Sequence, residues 1–177
     1  PVDRREQVDH GTFRGAESSA LMPAADPSSC IIAKVTTING LKANVSIITD
    51  VLDISGNPLQ VKINNLNYTD PVTEDDTLEV GKDRYWMFYN AAIGGHPIHI
   101  HLIQYQVVSR QKFDAVHYLA TKQIRLGAMN PLRATDLGQK DTVEVNPGEV
   151  ILLRIDGSRV TTSGTYVLHC HLLEHED

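Results

Sequence analysis

Residues 141–154 have the sequence DTVEVNPGEVILLR, in which two apolar runs flank a central turn. The simplest interpretation of this stretch is a β-strand, a corner and a second β-strand. Pro147 and Gly148 form the bend, because proline fixes φ and glycine tolerates the positive φ that tight connections need. The stretch therefore predicts β-structure on both sides of one corner.

On both sides of this corner, residues 31–177 consist of short β-rich runs separated by turn signals, a pattern that is typical of an all-β sandwich or barrel. Ser55–Pro58 is a second such turn signal. Lys112–Gln139 is too long for a simple hairpin, so we expect it to hold a short helix or to cross one end of the sandwich. The predicted strands are Ala43–Ile54, Leu59–Ile63, Arg84–Tyr89, Ile98–Val108, Thr142–Val145, Val150–Ile155 and Thr165–His171.

The N-terminal segment, residues 1–30, mixes charged residues, glycine, serine and proline without apolar periodicity. It is interpreted as a linker or irregular lead-in, and residues 31–177 as one domain. The chain starts at Pro1 and stops at Asp177 inside a charged run. We therefore expect a fragment, or a processed piece, of a longer protein.

The overall composition excludes several classes of partner. The chain has 177 residues, 22 acidic against 16 basic side chains, a net charge of −6 and 41% hydrophobic residues, which is enough for one compact domain. No cluster of lysine and arginine provides a surface for nucleic acid or for an anionic membrane. No apolar run approaches the roughly 18 residues of a membrane-spanning helix. We therefore expect neither nucleic acid nor a membrane as partner.

Histidine and cysteine carry the chemical information. The two cysteines, Cys30 and Cys170, are too few for a disulfide framework. Six of the eight histidines fall into two short clusters, whereas His10 and His117 stand apart and are interpreted as ordinary surface or core residues. The clustered histidines are His96, His99, His101, His169, His171 and His175.

Strand alternation sorts these side chains into two groups, because residues two apart on a strand share a face. His99 and His101 point together, and so do His169 and His171, which predicts a surface of four imidazoles if the two strands are neighbours. His96 and Cys170 have the opposite parity, and His175, the remaining histidine of the second cluster, is grouped with them on the other side. Two imidazoles and a thiolate suit a trigonal blue-copper centre that transfers electrons.

Other interpretations of the cluster remain open. Imidazole and thiolate also bind zinc, but structural zinc sites with short spacings usually contain paired cysteines, so zinc is the weaker alternative. A catalytic cysteine paired with histidine is weaker still, since a nucleophile does not need five neighbouring imidazoles. Three nearby aromatic residues, Tyr85, Trp86 and Phe88, are expected to pack in the core.

At these residues the sequence resembles the C-terminal cupredoxin domain of the multicopper oxidases, the family of laccases, bilirubin oxidases and phenoxazinone synthases. Residues 96–101, HPIHIH, match the family's His-Pro-x-His-x-His motif, and residues 169–175, HCHLLEH, match its His-Cys-His-x-x-x-His motif. Asn64–Thr73 and Leu173–Asp177 are similar to the spore-coat laccase and bilirubin oxidase branch. The resemblance implies a cupredoxin-like Greek-key sandwich and copper as the cofactor.

The resemblance also implies a role for each residue of the two motifs. His96, Cys170 and His175 would bind the type 1 copper, which accepts electrons from a phenolic, aminophenolic or tetrapyrrole substrate. His99 would bind the type 2 copper, and His101, His169 and His171 the type 3 pair, where O₂ is reduced to water. Glu176 matches an acidic position that would relay protons to this cluster; a solvated charge is the alternative.

Two departures from the family pattern shape the expected activity. In the family, the axial ligand of the type 1 copper lies further along the chain from the cysteine than Asp177 lies from Cys170, so this sequence does not contain it. The N-terminal domain of the family supplies half of the cluster histidines, and no further His-x-His pair occurs here. We therefore expect N-terminal cupredoxin domains or a companion chain to complete the site. The alternatives are a mononuclear blue-copper electron-transfer module and an inactive, metal-free fragment. An extracellular, periplasmic or spore-coat location is compatible with the resemblance.

Overall fold

The computed structural model describes residues 35–38, 40–67 and 70–172. The lead-in of residues 1–30 and two predicted site residues, His175 and Glu176, lie outside this part of the chain. Within it the chain forms ten strands, one α-helix and short 3₁₀ turns. In chain order these are β1 (Val35–Ile38), β2 (Leu41–Leu52), β3 (Pro58–Ile63), β4 (Arg84–Asn90), β5 (His96–Ile100), β6 (Tyr105–Phe113), α1 (Ala115–Thr121), β7 (Leu126–Asn130), β8 (Thr142–Val145), β9 (Glu149–Ile155) and β10 (Leu168–Cys170).

The strands form two sheets, which confirms the predicted all-β sandwich. The larger sheet has the order β1-β2-β4-β9-β6-β7, with β3 also paired to β2, and the smaller sheet has the order β10-β5-β8. Pairing is antiparallel except between β2 and β4. Both histidine motifs contribute to the smaller sheet, so neighbouring strands present them side by side.

The central strand β4 is buried along its whole length because both faces of the larger sheet are covered. Trp86 and Phe88 pack between the two sheets, together with Ile98 and Cys170 of the smaller sheet. Tyr85 alternates to the opposite face and packs in a second cluster beneath the excursion that contains α1. The predicted core positions of Tyr85, Trp86 and Phe88 are confirmed.

The predicted strand Ile98–Val108 is wrong, because the chain leaves the smaller sheet after Ile100 and enters the larger sheet at Tyr105. Leu102 has φ 73°, a left-handed conformation that turns the chain between the sheets. Apolar residues are buried on both sides of this break, so the hydrophobic pattern continues across it. A run of hydrophobic residues therefore does not reveal the change of sheet.

The predicted corner between β8 and β9 is present, and its geometry explains the glycine. Gly148 has φ 65°, and a Cβ at this position would lie 3.2 Å from the Phe113 carbonyl oxygen. The Gly148 N–H donates to the Asn90 carbonyl at 3.0 Å, and the Phe113 N–H donates to the Gly148 carbonyl at 2.8 Å. A side chain here would be strained and crowded at once. The corner thus fixes where β9 enters the larger sheet.

The excursion after β6 contains the expected short helix, α1, and also strand β7, which was not predicted. β7 lies at the edge of the larger sheet, and no residue in it is fully buried. A strand without a buried face has no apolar alternation, which is why its sequence gives little signal. Within the described residues, no helix has the length and apolar character needed to cross a membrane.

A buried ion cluster ties this excursion to the sandwich. Arg110 of β6 donates from Nε and Nη2 to the two carboxylate oxygens of Asp136 at 2.7 and 2.8 Å. Its Nη1 donates to Glu149 Oε2 at 2.7 Å and to the Glu144 carbonyl at 3.0 Å. Arg110, Asp136 and Glu149 are all buried. One guanidinium therefore joins β6, β8, β9 and the 3₁₀ turn at Asp136.

This cluster predicts an acid-sensitive contribution to stability. Burial raises the pKa of Asp136, but hydrogen bonds from Arg110 and from the Arg133 N–H outweigh it and hold the pKa below its ordinary value. A carboxyl with a lowered folded-state pKa stabilises the fold above its unfolded pKa of about 3.9, and this contribution is lost as the pH falls through the folded pKa.

We therefore expect Asp136→Asn to lower the free energy of unfolding by about 1.5 to 3 kcal/mol at neutral pH. The difference from the wild type should be constant above about pH 5 and should shrink below about pH 4. Urea denaturation of both proteins between pH 7 and pH 3 measures it. A difference that stays unchanged down to pH 3 would show that the charge of Asp136 does not matter.

Candidate metal centre

The two histidine motifs meet in an antiparallel ladder between β5 and β10. His169 is paired with His99, and Cys170 is paired with Ile98. Paired residues in a ladder lie on the same face, and successive residues alternate between faces. Cys170 and Ile98 therefore point into the core between the sheets, whereas His99 and His169 point to the outer side of the smaller sheet.

The outer side carries a four-imidazole group, formed by His99, His101, His169 and His171. The ring centroids of His99 lie 4.7, 5.4 and 5.0 Å from those of the other three residues. His169 lies 5.2 Å from His101 and 4.7 Å from His171. His99 is buried, His101 and His169 are half-buried, and His171 is exposed. The structure thus brings together the four histidines that strand parity predicted on one face.

His99 is held so that one ring nitrogen remains for a metal. Its Nδ1–H donates to the Asp141 carbonyl at 2.8 Å and lies 3.0 Å from the Thr142 hydroxyl oxygen. A carbonyl only accepts, so the hydrogen is on Nδ1 and the lone pair is on Nε2. Burial lowers the pKa of His99, although the hydrogen bond to Asp141 opposes this. The neutral imidazole is the form that binds a metal ion.

His169 is oriented in the same way by its own strand. Its Nδ1 lies 3.2 Å from the Cys170 carbonyl oxygen, to which the Nδ1–H donates. The lone pair of the neutral ring is then on Nε2. This Nε2 lies 3.1 Å from His101 Nε2. Backbone hydrogen bonds of this kind orient metal-binding histidines in many proteins.

The other side of the same ladder brings a thiol to an imidazole. Cys170 Sγ lies 3.4 Å from His96 Nδ1, and both residues are buried. Nitrogen and sulfur ligands bind a metal at about 2.0 and 2.3 Å, so two such atoms on one ion lie roughly 3 to 4 Å apart. The pair has the spacing of two ligands to one ion. The predicted third ligand, His175, and the proposed proton relay, Glu176, lie outside the described residues.

The donor atoms on both sides fit copper. A buried thiol next to imidazole provides the soft sulfur that copper prefers in electron-transfer sites. On the outer side, ligand nitrogens of His99, His101 and His169 all lie within 4.8 Å of one another. This is an imidazole-only set, which suits copper as well as zinc. The arrangement can therefore hold a mononuclear centre and part of a second metal centre, linked by Cys170 and its two neighbours in sequence.

The sequence did not reveal the groups that orient these ligands. Thr142, the first residue of β8 and the cross-strand partner of His99, supports the His99 ring together with the carbonyl of the preceding residue, Asp141. Thr142 was predicted as the first residue of a strand, but nothing in its sequence showed that this strand lies next to β5. The pairing of strands far apart in the chain was the missing information.

Comparison with known protein families gives a match over most of the chain. The model of a family described as multicopper oxidase matches residues 44–177. A laccase from Bacillus stratosphericus is 41% identical over 133 residues, which cover 73% of this chain and 25% of that protein. A laccase from Bacillus subtilis (strain 168) is 40% identical over 126 residues, which cover 71% of this chain and 24% of that protein. The chain thus spans about a quarter of the length of these relatives.

Solved structures agree with the fold. A laccase from Pediococcus acidilactici superposes with a TM-score of 0.55 at 24% identity, covering 88% of this chain and 29% of that one. A multi-copper oxidase from the same organism gives a TM-score of 0.54 at 21% identity, covering 83% and 26%. At these identities the likeness concerns the fold alone. It confirms the expected cupredoxin-like sandwich.

Proposed function

Because the chain belongs to the multicopper oxidase family, we propose that it forms the part of a copper-dependent oxidase that holds the mononuclear copper and half of the oxygen-reducing centre. The reaction we propose is oxidation of a phenol, an aminophenol or a tetrapyrrole, coupled to reduction of O₂ to water. One observation carries this proposal: Cys170 faces His96 at 3.4 Å, while its neighbours His169 and His171 lie among His99 and His101.

Each group of residues has a distinct task in this proposal. His96 and Cys170, with His175, would hold one copper ion, and the four-imidazole group would contribute to a cluster of further copper ions. Bound copper supplies one-electron redox chemistry and O₂ reduction. The protein keeps the thiol away from water, because Cys170 is only 8% exposed. The backbone of residues 169–171 joins the two ligand groups through a few covalent bonds.

The four-imidazole group also supports the proposal that a further domain or chain takes part in catalysis. It provides four histidines, and its outer member His171 is exposed. An oxygen-reducing cluster in this family needs further imidazoles, and the matched relatives are about four times as long as this chain. We propose that N-terminal cupredoxin domains or a companion chain cover this side and supply the remaining ligands. Glu176 would serve as the proton relay of the completed cluster.

A substitution in the four-imidazole group distinguishes the proposed oxidase from a mononuclear electron-transfer module. The experiment uses the protein purified with the segments or chains that accompany it in the cell, loaded with copper. We expect His169→Ala to retain the visible thiolate–copper absorption but to lose O₂ uptake with a phenol as reductant. His117→Ala, a histidine on α1 away from both motifs, should retain both properties. If His169→Ala consumes O₂ like the wild type, the proposed oxidase function is wrong.

A further inference from the structure

The strand that begins with His96 is anchored by one buried asparagine on a neighbouring strand. Asn90 is the last residue of β4 and is fully buried. Its Nδ2 donates to the Gly94 carbonyl and to the Val145 carbonyl, each at 2.8 Å. Its Oδ1 accepts from the Ala92 N–H at 2.9 Å. A single side-chain amide therefore satisfies three backbone groups in two different segments.

Both segments flank His96. Gly94 lies two residues before it in the loop between β4 and β5, and Val145 is its cross-strand partner on β8. The carbonyl of Asn90 also accepts from the Gly148 N–H at 3.0 Å, which fixes the β8–β9 corner. The start of β5 is thus held from the loop side and from the β8 side by the same residue.

We propose that Asn90 is a positioning residue that holds the His96 imidazole against Cys170, an inference that rests on the copper-binding function proposed above. No other side chain of this size offers two donors on one nitrogen and an acceptor. An aspartate would place carboxylate oxygen against the carbonyl oxygens of Gly94 and Val145, and an alanine would remove the amide donor from both. Loss of the amide should therefore release the loop at Gly94 and move His96.

The test compares two buried asparagines of the same sheet. Asn44 on β2 is also fully buried and bonds to the Thr77 carbonyl and to Arg84, far in sequence from both histidine motifs. Asn90→Ala and Asn44→Ala should both lower the melting temperature, since each removes buried side-chain hydrogen bonds. Only Asn90→Ala should weaken copper binding at the thiolate site, by about 10- to 100-fold, as for other groups that orient a metal ligand.

The readouts are copper titration followed by the thiolate absorption, and the reduction potential of the bound copper. Asn90→Ser, which keeps one hydroxyl donor, should give an intermediate affinity and provides a milder variant if Asn90→Ala folds poorly. Equal affinity and potential in the Asn90 variants and the wild type would overturn the proposal.

A metal-free measurement separates this inference from the proposed function. In the apoprotein, the ¹⁵N ring resonances of His96 should shift or broaden in Asn90→Ala or Asn90→Ser and should stay unchanged in Asn44→Ala. If the wild type forms no thiolate–copper absorption, the proposed function fails, and the resonances still decide whether Asn90 positions His96. Unchanged His96 resonances in the Asn90 variants would reject the positioning role.

Discussion

In the protein purified with its accompanying segments or chains and loaded with copper, we expect Cys170→Ser to abolish both the visible absorption and the proposed oxidation of phenols. The absorption requires a thiolate bound to copper, and a serine hydroxyl is a much harder and less acidic ligand. Oxidation should fall by at least about three orders of magnitude, equivalent to about 4 kcal/mol, because no other described side chain can replace the sulfur. Absorption spectroscopy and O₂ uptake measure the two effects.

A neighbouring substitution separates the loss of a ligand from the loss of packing. Ile98 is the cross-strand partner of Cys170 and is fully buried in the same core cluster. Ile98→Val removes one methyl group and should cost about 0.5 to 1.5 kcal/mol of stability while leaving the absorption intact. If Cys170→Ser kept the absorption and the activity, the assignment of Cys170 as a copper ligand would be wrong.

Local sequence predicted that Cys170 and its two neighbouring histidines lie on opposite faces, because the alternation of side chains is a property of a single strand. The pattern of residues 169–171 alone places a sulfur on one face and two imidazoles on the other, and the structure shows Cys170 and His169 arranged in this way. The sequence could not supply the partners of those side chains. The Thr142 hydroxyl contacts His99, and the Asn90 amide donates to the Val145 carbonyl. These contacts join residues that are 43 and 55 positions apart in the chain.

The break after Ile100 shows a second limit of the sequence. Residues 98–108 have the composition of one long strand, and burial continues on both sides of the break. The chain turns at Leu102, whose φ of 73° is an energetically unfavourable conformation for leucine, so tertiary contacts enforce the turn and the residue type does not signal it. Because the segment changes sheets there, His101 leaves the β5 ladder but remains within 4.7 Å of His99, measured between ring centroids. The parity of a longer strand therefore gave the right neighbours for His101 although the strand ends before it.

Among substitutions in the buried ion cluster of Arg110, Asp136 and Glu149, we expect Arg110→Met to cause the largest loss of stability. The arginine side chain is 1% exposed and faces Asp136 and Glu149, which are 2% and 6% exposed. Its removal leaves two buried carboxylates without their main countercharge. Breaking a buried ion pair in this way costs about 3 to 5 kcal/mol. Urea denaturation at neutral pH measures the change.

Two controls distinguish this effect from the loss of an ordinary ion pair. Arg154, on the neighbouring strand, bonds to Asp83 at 3.4 Å with both side chains more than a quarter exposed, so Arg154→Met should cost less than about 1 kcal/mol. The triple variant Arg110→Met, Asp136→Asn, Glu149→Gln keeps acceptors for the Arg133 and Asn146 N–H groups but removes the buried negative charges. It should recover part of the lost stability, because the cost of an unpaired buried charge exceeds that of an amide. A triple variant less stable than Arg110→Met alone would show that packing of the arginine, not its charge, holds the excursion to the sandwich.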